Sequence, residues 1–397
     1  MGAGDLPRAA GDLERLTGEL RRRRARSQLL DRPAGLGPTA IVGHLLAVQA
    51  QDYRSPGLAL RARSRGLDQA EVERELCPRP GLVVGWLVRG TLQMVCVEDY
   101  AWLLGLTAPG RLAGSRRRLA QEGLAATDVE RGVTTIERAL AADGPLTRRE
   151  LAERIEREGI RTAGQAIVHL IGLSALHGIA IPAATCTDHH SLALTDDWLG
   201  SRPPTELRGE DRDAALAELA RRYLIGHGPA ADRDLAKWSG LGLRDARRGL
   251  ARIAGELVDL GGGLVDLRSR EPSTLPLDPV LLPSFDPYML GWDDRTFAVA
   301  AGHVRRVHPG GGMLRAVACD DGLAIGTWSA RRGEGTLAVR VEPFHPHEDV
   351  PVELEPLHPR DDVPVNVEPV GHLEQRVSHG LRTEAADVAR FEGRRLV

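Results

Sequence analysis

The chain has 397 residues, 42% of them hydrophobic, which is enough to bury a sizeable core and to form two or three domains. No run approaches the roughly 18 consecutive apolar residues of a membrane-spanning helix, and the acid-bearing N-terminus MGAGDLPRAAGDLERL does not read as a signal peptide, so the expected location is the cytoplasm. The formal charge of −3 at first argues against a nucleic-acid partner, but it is unevenly placed: residues 341–370 hold eight acids and one base, a net −7, which leaves +4 for the rest.

Helix–turn–helix–wing patterns recur along the chain. In the first, LERLTGELRRRRARSQLL (13–30), TAIVGHLLAVQ (39–49) and LDQAEVEREL (67–76) have helical apolar spacing, and LVVGWLV and TLQMVCV read as strands joined at Arg89–Gly90. The basic run Arg21–Arg24 with Arg26 is either a phosphate-facing stripe or a solvated face. The second pattern opens near Pro145, where Thr147 and Glu150 form a T-x-x-E capping box for LTRRELAERIEREG. AGQAIVHLIGLSALHG follows as a helix, then a β-like stretch from Ile179 to Leu194. The third has a helix AALAELARRYL after Asp213, a short helix DRDLAKWS, a turn at Gly240–Gly242 and a basic helix LRDARRGLARI. It ends in ELVDLGGGLVDLR, a small hairpin with a glycine tip.

After residue 275 the pattern turns to β. FAVAAGHVRRV, MLRAVACD, LAIGTWSA and TLAVRVEP read as strands of a small barrel or sheet, separated by glycine-rich turns. A direct repeat of 13 residues, starting at Glu342 and again at Glu355, is too rich in proline and acid for a packed element; loop duplication explains its histidines better than a metal tract. Helical spacing returns at Leu373, Val377, Leu381, Val388 and Phe391. The expected fold is α+β: winged-helix units at 1–130, 131–204 and 205–272, then a β-rich domain at 273–397 with a barrel-like sheet and a C-terminal helix.

Two features limit the chemistry. Cys77, Cys96, Cys186 and Cys319 form no CxxC pair, which argues against a cysteine-held metal and suits a reducing compartment. Lys237 is the only lysine. The segment VQAQD places Gln49 and Gln51 two apart. On a helix they would point roughly 200° apart; in an extended segment both would face one side. They converge if the helix ends near Val48, and Tyr53, Ser55, Pro56 and Gly57 fit such an ending. Alone, such a pair reads by default as two surface glutamines.

The wider text resembles the AlkZ family of bacterial DNA glycosylases. AVQAQDYRSPGLALRAR (47–63), LVRGTLQMVCVEDYAWLL (87–104), LARRYLIGHGPA with AKWSGL, LLPSFDPYMLGWDDR (281–295) and VHPGGGMLRAVACDDGLAIGTW (307–328) carry the resemblance in order over most of the chain. It implies three winged-helix units and a β-rich domain around double-stranded DNA, with catalysis by a Q-x-Q pair matching Gln49 and Gln51. Two departures stand out. The family commonly reads GTLH where this chain has Gly90, Thr91, Leu92 and Gln93, and the acidic repeat after Pro343 is unlike the usual short connection.

A glutamine cannot act as a strong acid or base, and unmodified guanine is a poor leaving group. Alkylation at N7 makes the base cationic and activates its departure, so two neutral amides that orient water and stabilise an oxocarbenium-like sugar suffice. The expected substrate is DNA bearing alkylated purines. With one lysine to form a Schiff base, water is the expected nucleophile and the enzyme monofunctional, with no metal, cofactor or obligatory protein partner. Asp52 either assists Gln51 or caps a helix. Asp286, Tyr288 and Trp292 are candidates to border the site, though core packing explains the two aromatics equally well. Residues 295–319 carry Arg295, Arg305, Arg306, Arg315, His303 and His308 and no acid; a basic hairpin at 303–315, with Arg305, Arg306, His308 and Arg315, is the expected DNA grip. The alternative function is a non-catalytic winged-helix regulator.

Overall fold

A computed structural model describes residues 5–77, 81–183, 191–271, 275–344, 352–354 and 375–397. Proline at its first position starts α2 (Pro38–Leu45), which follows the long α1 (Asp5–Ser27). Leu46, at φ 68°, takes a left-handed conformation that no helix continues, so α2 stops short of Gln49. The chain then leaves as an extended pair, β1 (Val48–Gln49), before α3 (Ser55–Arg61) and α4 (Gln69–Leu76), the latter opened by an Asp68–Glu71 capping box. The expected hairpin forms from β2 (Leu82–Trp86) and β3 (Leu92–Cys96) around Arg89–Gly90. Since β3 also pairs with β1, the sheet order is β1-β3-β2.

Helices α5 (Val97–Thr107), α6 (Pro109–Gln121) and α7 (Ala126–Asp143) lead to the middle segment. There β4 (Leu146–Thr147) runs into α8 (Arg148–Arg157), and the Thr147–Glu150 box is reciprocal, Thr147 N donating to Glu150 Oε2 at 2.8 Å. The apolar α9 (Ala166–Leu176) is buried, and β5 (Ala180–Ala183) and β6 (Ser191–Leu194) complete a sheet of order β4-β6-β5 before α10 (Thr195–Leu199). The third segment has the expected element order: α11 (Gly209–His227), α12 (Asp232–Ser239), α13 (Leu243–Arg252) and a hairpin of β7 (Leu257–Asp259) with β8 (Val265–Leu267).

The C-terminal third holds β9 (Val280–Leu282), two one-turn helices, α14 (Pro287–Leu290) and α15 (Val304–Val307), then β10 (Val317–Asp320), β11 (Leu323–Arg332), β12 (Thr336–Pro343) and β13 (Val352–Leu354). Helix α16 (Gln375–Phe391) and β14 (Arg395–Leu396) end it. The sheet order is β13-β12-β11-β10-β9, with β14 parallel to β12, an open sheet rather than a closed barrel among the described residues. Two expectations need correction here. FAVAAGHVRRV is turns and a short helix, not a strand: Phe297, Ala298, Val299 and Val307 turn into the core, and β11 gives the segment one backbone bond, Ala324 N to the Ala298 carbonyl (2.8 Å), but no ladder. A piece of the acidic repeat, Val352–Leu354, is a paired strand rather than loop; most of the rest of the repeat, like Leu373, lies outside the described residues. α16 buries Val377, Leu381, Val388 and Phe391 as their spacing requires.

The basic run of α1 is neither a phosphate stripe nor a solvated face. Arg21 and Arg22 bind Asp321, Arg23 binds Asp266, and buried Arg24 donates to the Pro229 carbonyl (2.9 Å) and lies over Trp292 and Phe297. α1 is thereby stapled to segments more than 200 residues away.

Candidate active site at Gln49

Register places the first candidate. Gln49 lies opposite Gln93 on β3, and Gln93 lies opposite Gly85 on β2. Directly opposed residues share one face of a sheet, so Gln49 and Gln93 form a cross-strand pair of carboxamides. Both are buried, and Gln93 Nε2 donates to Thr91 Oγ1 at 2.6 Å. The ladder ends one residue later, where Ala50 N donates to the Leu92 carbonyl at 2.8 Å.

Gln51 is exposed in the bend that follows and lines a cavity of about 190 Å³ with Asp52, Tyr53, Leu92, Trp198 and Phe391. The two glutamines therefore leave one short segment in different settings, the first clamped and the second open. Asp52 explains the bend: its carboxylate accepts from Arg54 N (3.0 Å), Ser55 N (2.8 Å) and Ser55 Oγ, and so starts α3. Beside it, burial and the bond to Glu73 hold the Tyr53 phenol up at about 12.

Asp286 and Tyr288 do not line this site. Asp286 is fully buried in a bidentate pair with fully buried Arg63 (2.8 and 2.9 Å) and caps Tyr288 N. Tyr288 is core, its hydroxyl donating to the Gly322 carbonyl and its ring packed edge-on to Trp292 and Phe297. Core packing was the other reading of the aromatics, and the burial of Tyr288 among aromatic neighbours favours it.

What does reach Gln49 is Arg89, read from the sequence only as a hairpin turn, with Arg111 and Arg295 near it. Arg89, at the tip of the β2–β3 hairpin, has φ 55°, a left-handed conformation costing a residue with a Cβ roughly 1 kcal/mol. Its Nη1 donates to the Trp238 carbonyl (2.7 Å) at the C-terminal end of α12, and its Nη2 donates to Gln49 Oε1 (3.1 Å). The guanidinium thus fixes the orientation of the Gln49 amide. Arg111 lies against the same tip: a Cβ on Gly90 would sit 1.9 Å from its Nη1, and one on Gly240 2.8 Å from its Nη2. Both glycines also have positive φ, 67° and 75°, which strains any side chain at either position, and at Gly240 a Cβ would also press on the Arg89 backbone at 3.0 Å. Burial, then Arg111 and Arg295, lower the Arg89 guanidinium to about 10. Among the described residues no salt bridge neutralises Arg89, Arg111 or Arg295, and Asp293 offsets the burial of Arg295 only in part. The sequence signals were the G-T-L-Q departure, which marked Gln93, and the acid-free basic stretch that begins at Arg295; nothing in the sequence singled out Arg111.

The basic segment is not a β-hairpin: α15 is followed by a tight turn closed by a Gly310–Met313 bridge. Arg305 and Arg315 are exposed there; Arg306 lies over Phe344 at 4.9 Å and donates to the Pro343 carbonyl. His308 is held below its ordinary value by burial and then by Arg295, which connects this segment to the arginines around Gln49. Lys237, on α12 one residue before Trp238, is exposed and 4.0 Å from Asp293. Cys96 and Cys319 are buried thiols pushed up by burial, and Cys186 lies outside the described residues. Among the described residues no three His, Cys, Asp or Glu side chains group to hold a metal ion, and no helix is long and apolar enough to cross a membrane.

The family profile described as DNA glycosylase AlkZ-like matches residues 42–391. The chain belongs to the AlkZ-like DNA glycosylases, enzymes of DNA repair. A curated relative, the interstrand DNA cross-link repair glycosylase of Streptomyces sahachiroi, is 25% identical over 83% of this chain and 91% of its own. The solved structure of the Streptomyces sahachiroi DNA glycosylase AlkZ has the same fold, with a TM-score of 0.70 at 22% identity over 96% of this chain and 99% of that one.

Proposed function

We propose that this protein is a monofunctional DNA glycosylase that hydrolyses the N-glycosidic bond of N7-alkylguanine, with Gln49 and Gln51 as its catalytic amides. The carrying observation is the Gln49 carboxamide, buried on a short strand with its oxygen held by Arg89. A dipole fixed in a water-poor site stabilises developing charge without reorganising, which is what a neutral catalytic group can offer. A cationic base leaves without an acid, and water held by the amides completes the displacement at the sugar carbon. Gln51, open to the neighbouring cavity, is the amide with room to meet water.

We read residues 1–130, 131–204 and 205–272 as three winged-helix units, and the basic segment at 303–315 as a DNA contact through Arg305, Arg306, His308 and Arg315. The Streptomyces relative is named for interstrand cross-link repair, and bulky natural-product adducts and crosslinks are accordingly the substrates to try first. Family membership disfavours the regulator reading. The test is base release from a panel of DNAs carrying N7-alkylguanine, uracil or 8-oxoguanine, run with EDTA and with borohydride. Release of N7-alkylguanine alone, with an intact abasic site, is expected. Efficient uracil release would sink the charged-leaving-group mechanism, and a borohydride-trapped adduct would point to Lys237 or the terminal amine instead of water.

A further inference from the structure

We propose that Arg89, Arg111 and Arg295 together bind one phosphodiester of the lesion-bearing strand beside Gln49, so that DNA itself neutralises the site before the positive charge of the alkylated base passes to an oxocarbenium-like sugar there. This rests on the glycosylase reading for its substrate, but its geometry is independent of the lesion. Two of the cations share one wall: Arg111 lies against Gly90 and Gly240, and Gly240 also abuts the Arg89 backbone. The third, Arg295, has a buried Nε with no hydrogen-bond partner among the described residues, as does Nε2 of neighbouring His308.

Several other arginines face carboxylates, as Arg61 faces Glu384 and Asp387, and Arg222 faces Asp99. Around Arg89 three are gathered, partly buried and without a salt bridge among the described residues, and the lowered proton affinity of Arg89 reflects its burial first and then repulsion by Arg111 and Arg295. Such an arrangement weakens the free protein and is relieved by an anion; guanidinium groups suit a phosphate, which they bind through forked hydrogen bonds. A cationic base brought beside three cations, of which only Arg295 is partly offset by an acid, Asp293, would be disfavoured, so phosphate engagement and chemistry are coupled. The Arg89 bond to Gln49 Oε1 is the link between them.

The experiment compares wild type with the Arg111→Gln, Arg295→Gln double variant on N7-methylguanine DNA in which single phosphates are replaced by neutral methylphosphonates. In wild type, one substitution near the lesion should weaken binding about 10-fold; in the variant the same substitution should be silent. The variant's log–log salt slope should fall by about 0.9, the value of one neutralised phosphate. Its Tm should hold or rise, because a repulsion has been removed, whereas a merely structural role would lower it. An unchanged salt slope, or a methylphosphonate profile identical to wild type, overturns the proposal. Wild type that shows the coupled phosphate yet releases no base overturns the glycosylase reading and leaves this site standing. Wild type that releases base with no position silenced in the variant overturns this site alone.

Discussion

Two sets of arginines in this protein make opposite use of the same side chain. Arg21–Arg24 form a contiguous basic run, the pattern that most suggests a phosphate-binding stripe, yet each is engaged internally, by Asp321, Asp266, a carbonyl or aromatic faces. Arg89, Arg111 and Arg295 are far apart in sequence; Arg89 and Arg111 stand beside glutamine, glycine and a tryptophan carbonyl rather than carboxylates. Density of charge along a chain says little about free charge. What matters is whether the fold returns an acid to each base, and a buried pair holds the fold together only while both partners are present.

The largest expected effect tests the paired side. Asp286→Ala leaves fully buried Arg63 without its carboxylate and should cost about 3–5 kcal/mol of stability in urea denaturation; a loss under about 1 kcal/mol would show that Gln28 and the Ala59 carbonyl suffice for it.

Next is the amide that the unpaired side holds. Gln49→Ala should slow single-turnover base release by ~10- to 10³-fold while DNA affinity changes little, since phosphate contacts elsewhere carry it. Gln51→Ala should fall in the same range, and wild-type rates from the double variant would remove both glutamines from the chemistry.

A smaller effect is expected from the basic segment. Replacing Arg305, Arg306 and Arg315 together with alanine should weaken binding and flatten its salt dependence, by up to about 0.9 in slope for each phosphate that no side chain then neutralises. A slope identical to wild type would make the segment scaffold.

The last sharpens the electrostatic side. His227, stacked on Tyr223 and close to Trp238, is lowered to about 3 by burial first and then by Arg89, Arg63 and His44. A depressed folded value means that the unfolded chain takes up the proton first. The stability this group contributes is therefore whole above the ordinary histidine value of about 6.5 and is lost progressively as pH falls toward 3. Between pH 6.5 and 5, before carboxylates titrate, unfolding free energy should drop by up to about 1.4 kcal/mol per pH unit for this one proton. His44, His177 and His308 are lowered too and add to the slope. His227→Gln should make the wild-type curve shallower by that one proton; an equal slope in both proteins would mean that His227 stays charged in the folded state.

Local rules, readable residue by residue, determined much of this molecule. Thr147 and Glu150 form their capping box because both partners lie within one turn; Arg89–Gly90 turns the β2–β3 hairpin; Val377, Leu381, Val388 and Phe391 face inward because helical spacing puts them on one side. The Q-x-Q segment was visible for a similar reason, since the turn-forming residues after it end regular structure nearby. Tertiary structure alone decided the rest. FAVAAGHVRRV has the composition of a strand, but no neighbour offers it a ladder, while Tyr288 and Trp292 offer Phe297 a packed aromatic corner. Gln93 meets Gln49 only because β3 pairs with two strands at once, a register set across more than 40 residues. That Arg89 and Arg111 lie without a carboxylate partner follows from where the chain did not bring an acid, and no local pattern encodes that: a charge is compensated or exposed only by residues that folding carries to it.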